Sequence, residues 1–253
     1  MFIFQIRIFK VGPEKSGNIE MIQIDVCSDE SIADAAEELK SKGVRLYGLV
    51  NNAGVGGATA RQCKRPEDVI VTNFYGPKKV TDAFVSLIDP KEGRIVNITS
   101  NGAPMWLRNQ SPRTKQLFTD PNLSWSDLEA TIKELMALTV SKERALFYYM
   151  SKGGLNALTL VQANSYPNLT VSSANPGFVD TNMTKGASAY YIKKWTPERA
   201  CTPALRCLLG NVESGCFYGP DGLRAPLTVP RDPSTPEYQG EENPSAKKYS
   251  WFD

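Results

Sequence analysis

The alternation of short apolar runs with helical stretches constrains this chain more than any other feature. Glu20–Val26 (EMIQIDV), Tyr47–Val50 (YGLV), Arg94–Thr99 (RIVNIT) and Leu169–Ala174 (LTVSSA) are β-rich and too short for buried helices. Between them lie stretches with helical spacing. Ser28 N-caps a helix reaching about Lys42, with Ile32, Ala35, Ala36 and Leu39 inward, and Gly43 closes it. Two more helices follow at about 66–73 and 77–88, the second with Pro77 in its first turn. A helix through Tyr148 runs to about Ser165 with Leu155, Leu158 and Val161 as its buried stripe. Strands separated by helices pair in parallel, so the expectation is an α/β fold with a doubly wound, mostly parallel sheet.

The expected boundaries are those of one domain over residues 1–253. Residues 1–19 form an atypical N-terminus: a strand over 1–9, then a loop in which Gly12-x-x-x-x-Gly17 is followed by Asn18. A phosphate-binding loop needs lysine there, so the segment reads as a turn. Residues 101–147 are a 47-residue insertion, too long for an ordinary connection, with Ser126–Glu129 opening a helix inside it. A helix at 197–209 and a strand near Cys216–Tyr218 complete the unit, and residues 219–253 read as a Pro-rich loop or ordered tail.

Composition excludes several chemistries. The chain has no histidine, which removes Ser-His-Asp triads, Cys-His nucleophiles and His-ligated metals together. Its five cysteines are scattered without a C-x-x-C pair, so a disulfide framework or thiolate zinc site is not expected and a reducing compartment is. A formal charge of +2 argues against a nucleic-acid partner. No run approaches the roughly 18 apolar residues of a membrane span, and Gln5 and Arg7 interrupt the opening run, so no signal peptide is read. The expected location is cytoplasmic.

Chemistry gathers where the strands end. Asp25, Asn51-Asn52-Ala53-Gly54, Ser100 and Pro176-Gly177 each follow a strand, and an open parallel sheet binds ligands beyond its strands' carboxyl ends. Tyr148 and Lys152 stand four apart, one helical turn, where an ammonium eases loss of a phenolic proton. Tyr75/Lys79 and Tyr190/Lys194 share that spacing, but the first straddles Pro77 and the second follows no strand-end serine.

The ordered set Asp25-Val26, Asn51–Gly54, Thr72-Asn73-Phe74-Tyr75-Gly76, Asn97–Ser100, Tyr148-x-x-x-Lys152 and Asn175–Thr181 resembles the short-chain dehydrogenase/reductase family. More narrowly it resembles the carbonyl reductase branch, whose helical insertion before the catalytic helix matches 101–147. The resemblance implies a Rossmann-like fold and hydride transfer from NADP, with NAD as the other possible form, to a small-molecule carbonyl substrate. It implies that Tyr148 gives a proton to the carbonyl oxygen, that Lys152 lowers the phenol's pKa and holds the nicotinamide ribose, and that Ser100 hydrogen-bonds the same oxygen. Asn73 would hold a water linking Lys152 to solvent. Asp25-Val26 would contact adenine, Asn52, Ala53 and Gly54 would line the adenosine side, and Pro176, Gly177, Val179 and Thr181 would close over the nicotinamide. No metal is implied, and the insertion implies a monomer.

Before Asp25 the chain departs from the family pattern. The Thr-Gly-x-x-x-Gly-x-Gly turn that seats the pyrophosphate has no counterpart, and 24 residues are too few for the strand–turn–helix–strand unit that carries it. Two expectations follow. Either residues 1–9 fill the gap beside the 47–50 strand, or that strand is an open edge. The alternative to an enzyme is then a non-catalytic or crippled reductase-like binding protein with a truncated cofactor site.

Overall fold

The structure is a computed structural model describing residues 4–10, 18–140, 143–186, 194–242 and 244–249. The chain opens with β1 (Phe4–Lys10) and β2 (Asn18–Ile24), an antiparallel pair separate from the main sheet. The half-phosphate-loop segment at 12–17 lies outside the described residues. Helix α1 (Asp29–Ser41) follows, its first turn capped by the Ser28 hydroxyl, which accepts from Ser31 N at 3.2 Å. Gly43 takes φ +63° just beyond it, the left-handed conformation that ends a helix cheaply.

The main sheet has the order β3 (Gly48–Asn51), β4 (Arg94–Ile98), β5 (Thr170–Ala174), β6 (Phe217–Tyr218), β7 (Arg224–Ala225). The first four run parallel, and β7 turns back antiparallel on β6. This is the Rossmann-like, mostly parallel architecture expected from the strand–helix alternation, except that the strand expected at 20–26 is not part of it and pairs antiparallel with β1. Residues 4–10 do not fill the gap beside β3. They pair with β2, because a short connection closes a hairpin at lower entropic cost than a pairing across the domain. Among the described residues no strand pairs the outer edge of β3, and Val50 is exposed there.

After α2 (Gly57–Ala60), the two helices expected at 66–73 and 77–88 form one continuous path. It runs through α3 (Asp68–Ile70), a π-helical turn at Val71–Tyr75, α4 (Gly76–Phe84) and a 3-10 turn at Val85–Leu87. Pro77 lacks an N–H and its ring crowds the preceding turn. The wider turn admits it, and Gly76 N–H reaches back to Val71 O.

The insertion holds α5 (Gly102–Arg108), α6 (Pro112–Thr119) and α7 (Trp125–Leu138), and all three pack on α8 (Arg144–Ser165). Phe118, Leu128 and Ile132 of the insertion join Phe74, Phe147 and Leu155 in one buried cluster. The cap of α7 is Ser124, whose hydroxyl accepts from Asp127 N at 3.1 Å, and not Ser126. The expected helix at 197–209 divides at Cys201 into α9 (Pro197–Ala200) and α10 (Thr202–Leu209).

Helices lie on both faces of the sheet. Ile32 and Leu39 of α1 and Val80 and Phe84 of α4 pack with Leu49, Ile95 and Val171, while Cys207 of α10 packs with Val96 and Ala174. A polar row on the first face fixes register. Asn51 Nδ2 donates to Asn97 Oδ1 at 2.8 Å and to Thr81 Oγ1 at 3.0 Å, and Asn97 Nδ2 donates to Thr159 Oγ1 and Gln162 Oε1. A one-residue slip would bury these amides unpaired, at a cost of about 1–3 kcal/mol each. The described residues beyond Tyr218 include β7 and a last helix, α11 (Ala246–Tyr249), where Tyr249 O accepts from Asp232 N at 2.7 Å. No helix among the described residues is long and apolar enough to cross a membrane.

Candidate active site

Four of the sequence-derived positions meet at the carboxyl ends of β3 and β4. Ser100 follows β4, and its hydroxyl accepts from Gly102 N at 3.1 Å, which fixes it at the start of α5. Tyr148 comes from α8, with the Ser100 hydroxyl close enough to the phenol to pull its pKa down. Burial outweighs that pull and, with Tyr149 adding to it, leaves the phenol above its usual value.

Lys152, one turn further along α8, is buried among the strand ends. Its ammonium donates to Ile98 O at 2.8 Å and stands 5.9 Å from the centre of the Tyr148 ring. Loss of hydration brings its pKa down to about 8. The lowering of the phenol's pKa expected from Lys152 is therefore not the effect seen. Burial shifts both groups toward their neutral forms, the phenol up and the ammonium down.

Asn73 lies in the π-helical turn and is completely buried. Its Oδ1 accepts from Val55 N at 2.8 Å, while Nδ2 donates to Val55 O at 2.8 Å and to Ser151 Oγ at 3.1 Å. The side chain thereby clips the segment after Gly54 to α8. A Cβ placed on Gly54 would lie 3.2 Å from Asn73 Oδ1 and 3.6 Å from Lys152 Nζ, so Gly54, Asn73 and Lys152 are mutual neighbours. Asn52 is exposed and Ala53 half-buried at the same strand end.

Asp25 and Val26 sit at the end of β2. Asp25 Oδ1 accepts from Cys27 N at 3.0 Å, and Val26 packs on Gly76, where a Cβ would come within 3.1 Å of it. Cys27 Sγ and Thr72 Oγ1, 3.3 Å apart, tie this turn to the π-helical segment. After β5, Gly177 adopts φ +84° and donates to Asn175 Oδ1 at 3.0 Å, which turns the chain away from the sheet. Pro176 and Val179 are half-buried, and Thr181 is exposed at the start of a 3-10 turn (Asn182–Thr184).

Two contacts had no place in the sequence reading. A Cβ on Gly56 would lie 2.6 Å from the Tyr148 ring and 3.3 Å from Met183 Sδ, so the backbone of the post-motif segment runs against the phenol and Met183 closes the same spot. Gly56-Gly57 just past Gly54 was a visible signal, whereas Met183 carried none. The rival pairs are structural or undescribed: Lys79 pairs with Asp29 at 2.7 Å, Tyr75 packs edge-on against Phe74 and Trp125, and Tyr190 lies outside the described residues. Lys194 is held by Asp180 at 3.1 Å and by Thr184 O.

Residues 8–112 match the short chain dehydrogenase family model. The (+)-neomenthol dehydrogenase of Arabidopsis thaliana is 31% identical over 230 residues, covering 78% of this chain and 76% of that protein. The (-)-isopiperitenone reductase of Mentha piperita is 26% identical, covering 79% and 78%. Among solved structures, salutaridine reductase from Papaver somniferum superposes with a TM-score of 0.61 at 23% identity, covering 77% of this chain and 80% of that one. NADPH-bound carbonyl reductase from chicken fatty liver gives 0.55 at 24% identity, covering 79% and 74%. With its strand-end motifs, its sheet order and these relatives, the chain belongs to the short-chain dehydrogenase/reductase family of oxidoreductases.

Proposed function

We propose that this chain reduces the carbonyl of a small aldehyde, ketone or quinone, with NADPH as hydride donor and Tyr148 as proton donor. The observation that carries the reading is the convergence of Ser100, Tyr148 and Lys152 beside the side-chain-free Gly54. The raised pKa of Tyr148 keeps the phenol protonated at neutral pH, the state a proton donor needs. Ser100 Oγ, fixed by Gly102 N–H, can donate its hydroxyl proton to the same carbonyl oxygen and stabilise the charge that develops there.

The residues present fit the nicotinamide end of such a cofactor. Lys152 Nζ and Asn73 border the space that Gly54 leaves free, and the Pro176–Val179 segment supplies a wall with an obligatory glycine turn. When bound, the cofactor supplies the hydride. Lys152 would hold the nicotinamide ribose, Asp25 and Val26 the adenine, Asn52 and Ala53 the adenosine side, and Val179 and Thr181 the carboxamide end. The names dehydrogenase and reductase of the relatives, and the NADPH of the chicken carbonyl reductase, support the reaction class and the phosphorylated dinucleotide, NAD being the other form. The cover of α8 by α5, α6 and α7 supports a monomer, here placed in the cytoplasm as one domain.

The outer edge of β3, unpaired among the described residues, favours a second reading, a reductase-like chain that binds a ligand without turning it over. Nicotinamide fluorescence on titration with NADPH, followed by ketone-dependent loss of absorbance, separates the two. Binding with turnover supports the reductase, and no binding at millimolar NADPH rules it out.

A further inference from the structure

The tail contains a buried charge that the proposed chemistry does not use. The Arg231 side chain has 0% exposure, yet its guanidinium is well supplied with acceptors. Nη1 donates to both Asp221 oxygens at 2.9 Å, Nε donates to Pro236 O at 2.8 Å, and Nη2 donates to Thr235 O at 2.6 Å. A buried arginine whose three guanidinium nitrogens all have acceptors holds those partners in one geometry.

What it holds is the turn that follows β6. Asp221 Oδ1 also accepts from Leu223 N at 3.2 Å, Gly219 N donates to Leu223 O at 2.7 Å, and Gly222 N donates to Gly219 O at 2.9 Å. A Cβ on Gly219 would lie 3.2 Å from both Arg231 Nη1 and Asp221 Oδ1, so the turn is wrapped directly on the ion pair.

The end of β6 and the turn each touch the segment after β5. Tyr218 O accepts from Asn175 N at 2.9 Å, and a Cβ on Gly177 would lie 3.2 Å from Pro220 Cβ. The same Cβ would lie 3.5 Å from the Trp195 ring, and the Trp195 backbone N–H donates to Phe178 O at 2.7 Å. Gly177 thus sits in a slot whose Pro220 wall is set by a residue eleven positions further along the chain.

We propose that Arg231 is a positioning residue for the cofactor-facing loop: through Asp221 it clamps the Gly219–Leu223 turn and holds Pro220 against Gly177. The inference rests on the assignment of Pro176–Val179 to the nicotinamide side. The guanidinium touches no reacting group, and its influence passes wholly through the turn.

Three variants test it: Arg231→Met, Asp221→Asn and, since buried arginines can be needed for folding, the milder Pro220→Ala, which leaves the ion pair intact. Hydrogen exchange at the Gly177 and Trp195 amides is compared with exchange at the β4 amides. The expected result is local, about tenfold faster exchange at Gly177 and Trp195 with β4 unchanged. KM for NADPH should rise by about five- to tenfold in Pro220→Ala while kcat at saturation stays within about twofold. Unchanged exchange at Gly177, or equal acceleration throughout the chain, overturns the clamp whether or not the wild-type protein turns over. Local acceleration in the variants, with a wild-type protein that fails to bind NADPH, would remove the cofactor assignment and leave the clamp standing.

Discussion

Lys152 Nζ is bound to the carbonyl oxygen of Ile98 at 2.8 Å, across 54 positions of sequence. This bond joins α8 to the end of β4 and fixes where the ammonium stands. It sits one residue from Thr99 and two from Ser100, so the lysine and the serine are set by the same strand end.

Removing the phenolic hydroxyl tests the assignment of proton donor. Tyr148→Phe should lower kcat by about a hundredfold to ten-thousandfold, the usual contribution of a positioned general acid. Thermal unfolding should move by no more than about 1 kcal/mol equivalent, the net worth of one ordinary hydrogen bond. A variant that retains full carbonyl reduction would assign the proton to another group.

The buried lysine makes stability depend on pH. Its pKa of about 8 in the folded chain lies below the ordinary 10.5, so between those values the unfolded chain binds more protons and stability rises with pH. Below about pH 8 both states are protonated and the full burden is carried, about 3 kcal/mol at 1.36 kcal/mol per pKa unit. Lys152→Met should therefore raise the unfolding midpoint near pH 7. That advantage should shrink as pH climbs from 8 toward 10.5, while activity is lost throughout. Denaturant melts of both proteins across that range measure it.

Gly56 stands where even a methyl group would overlap the Tyr148 ring at 2.6 Å. Gly56→Ala should displace the phenol or the Gly54–Gly57 segment, with kcat/KM falling by about a hundredfold, as misplacements near 1 Å do. The fold should persist by circular dichroism. Normal turnover in this variant would mean that the segment moves away from Tyr148 at no cost.

Asn73→Ala removes three hydrogen bonds and leaves Val55 N and O without their partner. A cost of about 2–4 kcal/mol is expected from unsatisfied buried backbone groups. Urea unfolding should show it as a shifted midpoint with unchanged slope. Turnover should fall too, because the Val55 segment borders the space beside Lys152.

Much of the site was legible because its signals are local. Asn51–Gly54, Ser100 and Pro176-Gly177 each follow a run that is β-rich by composition alone, and a parallel sheet places all such ends on one edge. The π-helical turn was not legible. The pattern around Pro77 suggests a break between two helices, and only the packing of Phe74 and Asn73 into the core shows that the chain continues through a wider turn. Two serines flank Trp125, and the sequence does not decide which of them caps α7, because the choice depends on where the chain arrives from α6.

The sequence by itself determined the strand–helix order, the family and the residues that face one another at the strand ends. These follow from periodicity, turn chemistry and motif spacing, which short stretches encode. Only the tertiary structure decided that Tyr148 is shifted up, that Lys152 donates a hydrogen bond to Ile98 O, and that Gly56 and Met183 meet the phenol. It alone brought Pro220 against Gly177 and Arg231 against Asp221, and left the outer edge of β3 without a strand among the described residues. Each of these depends on desolvation or on contacts between distant segments, and neither quantity exists until the sheet and its helices have closed around the site.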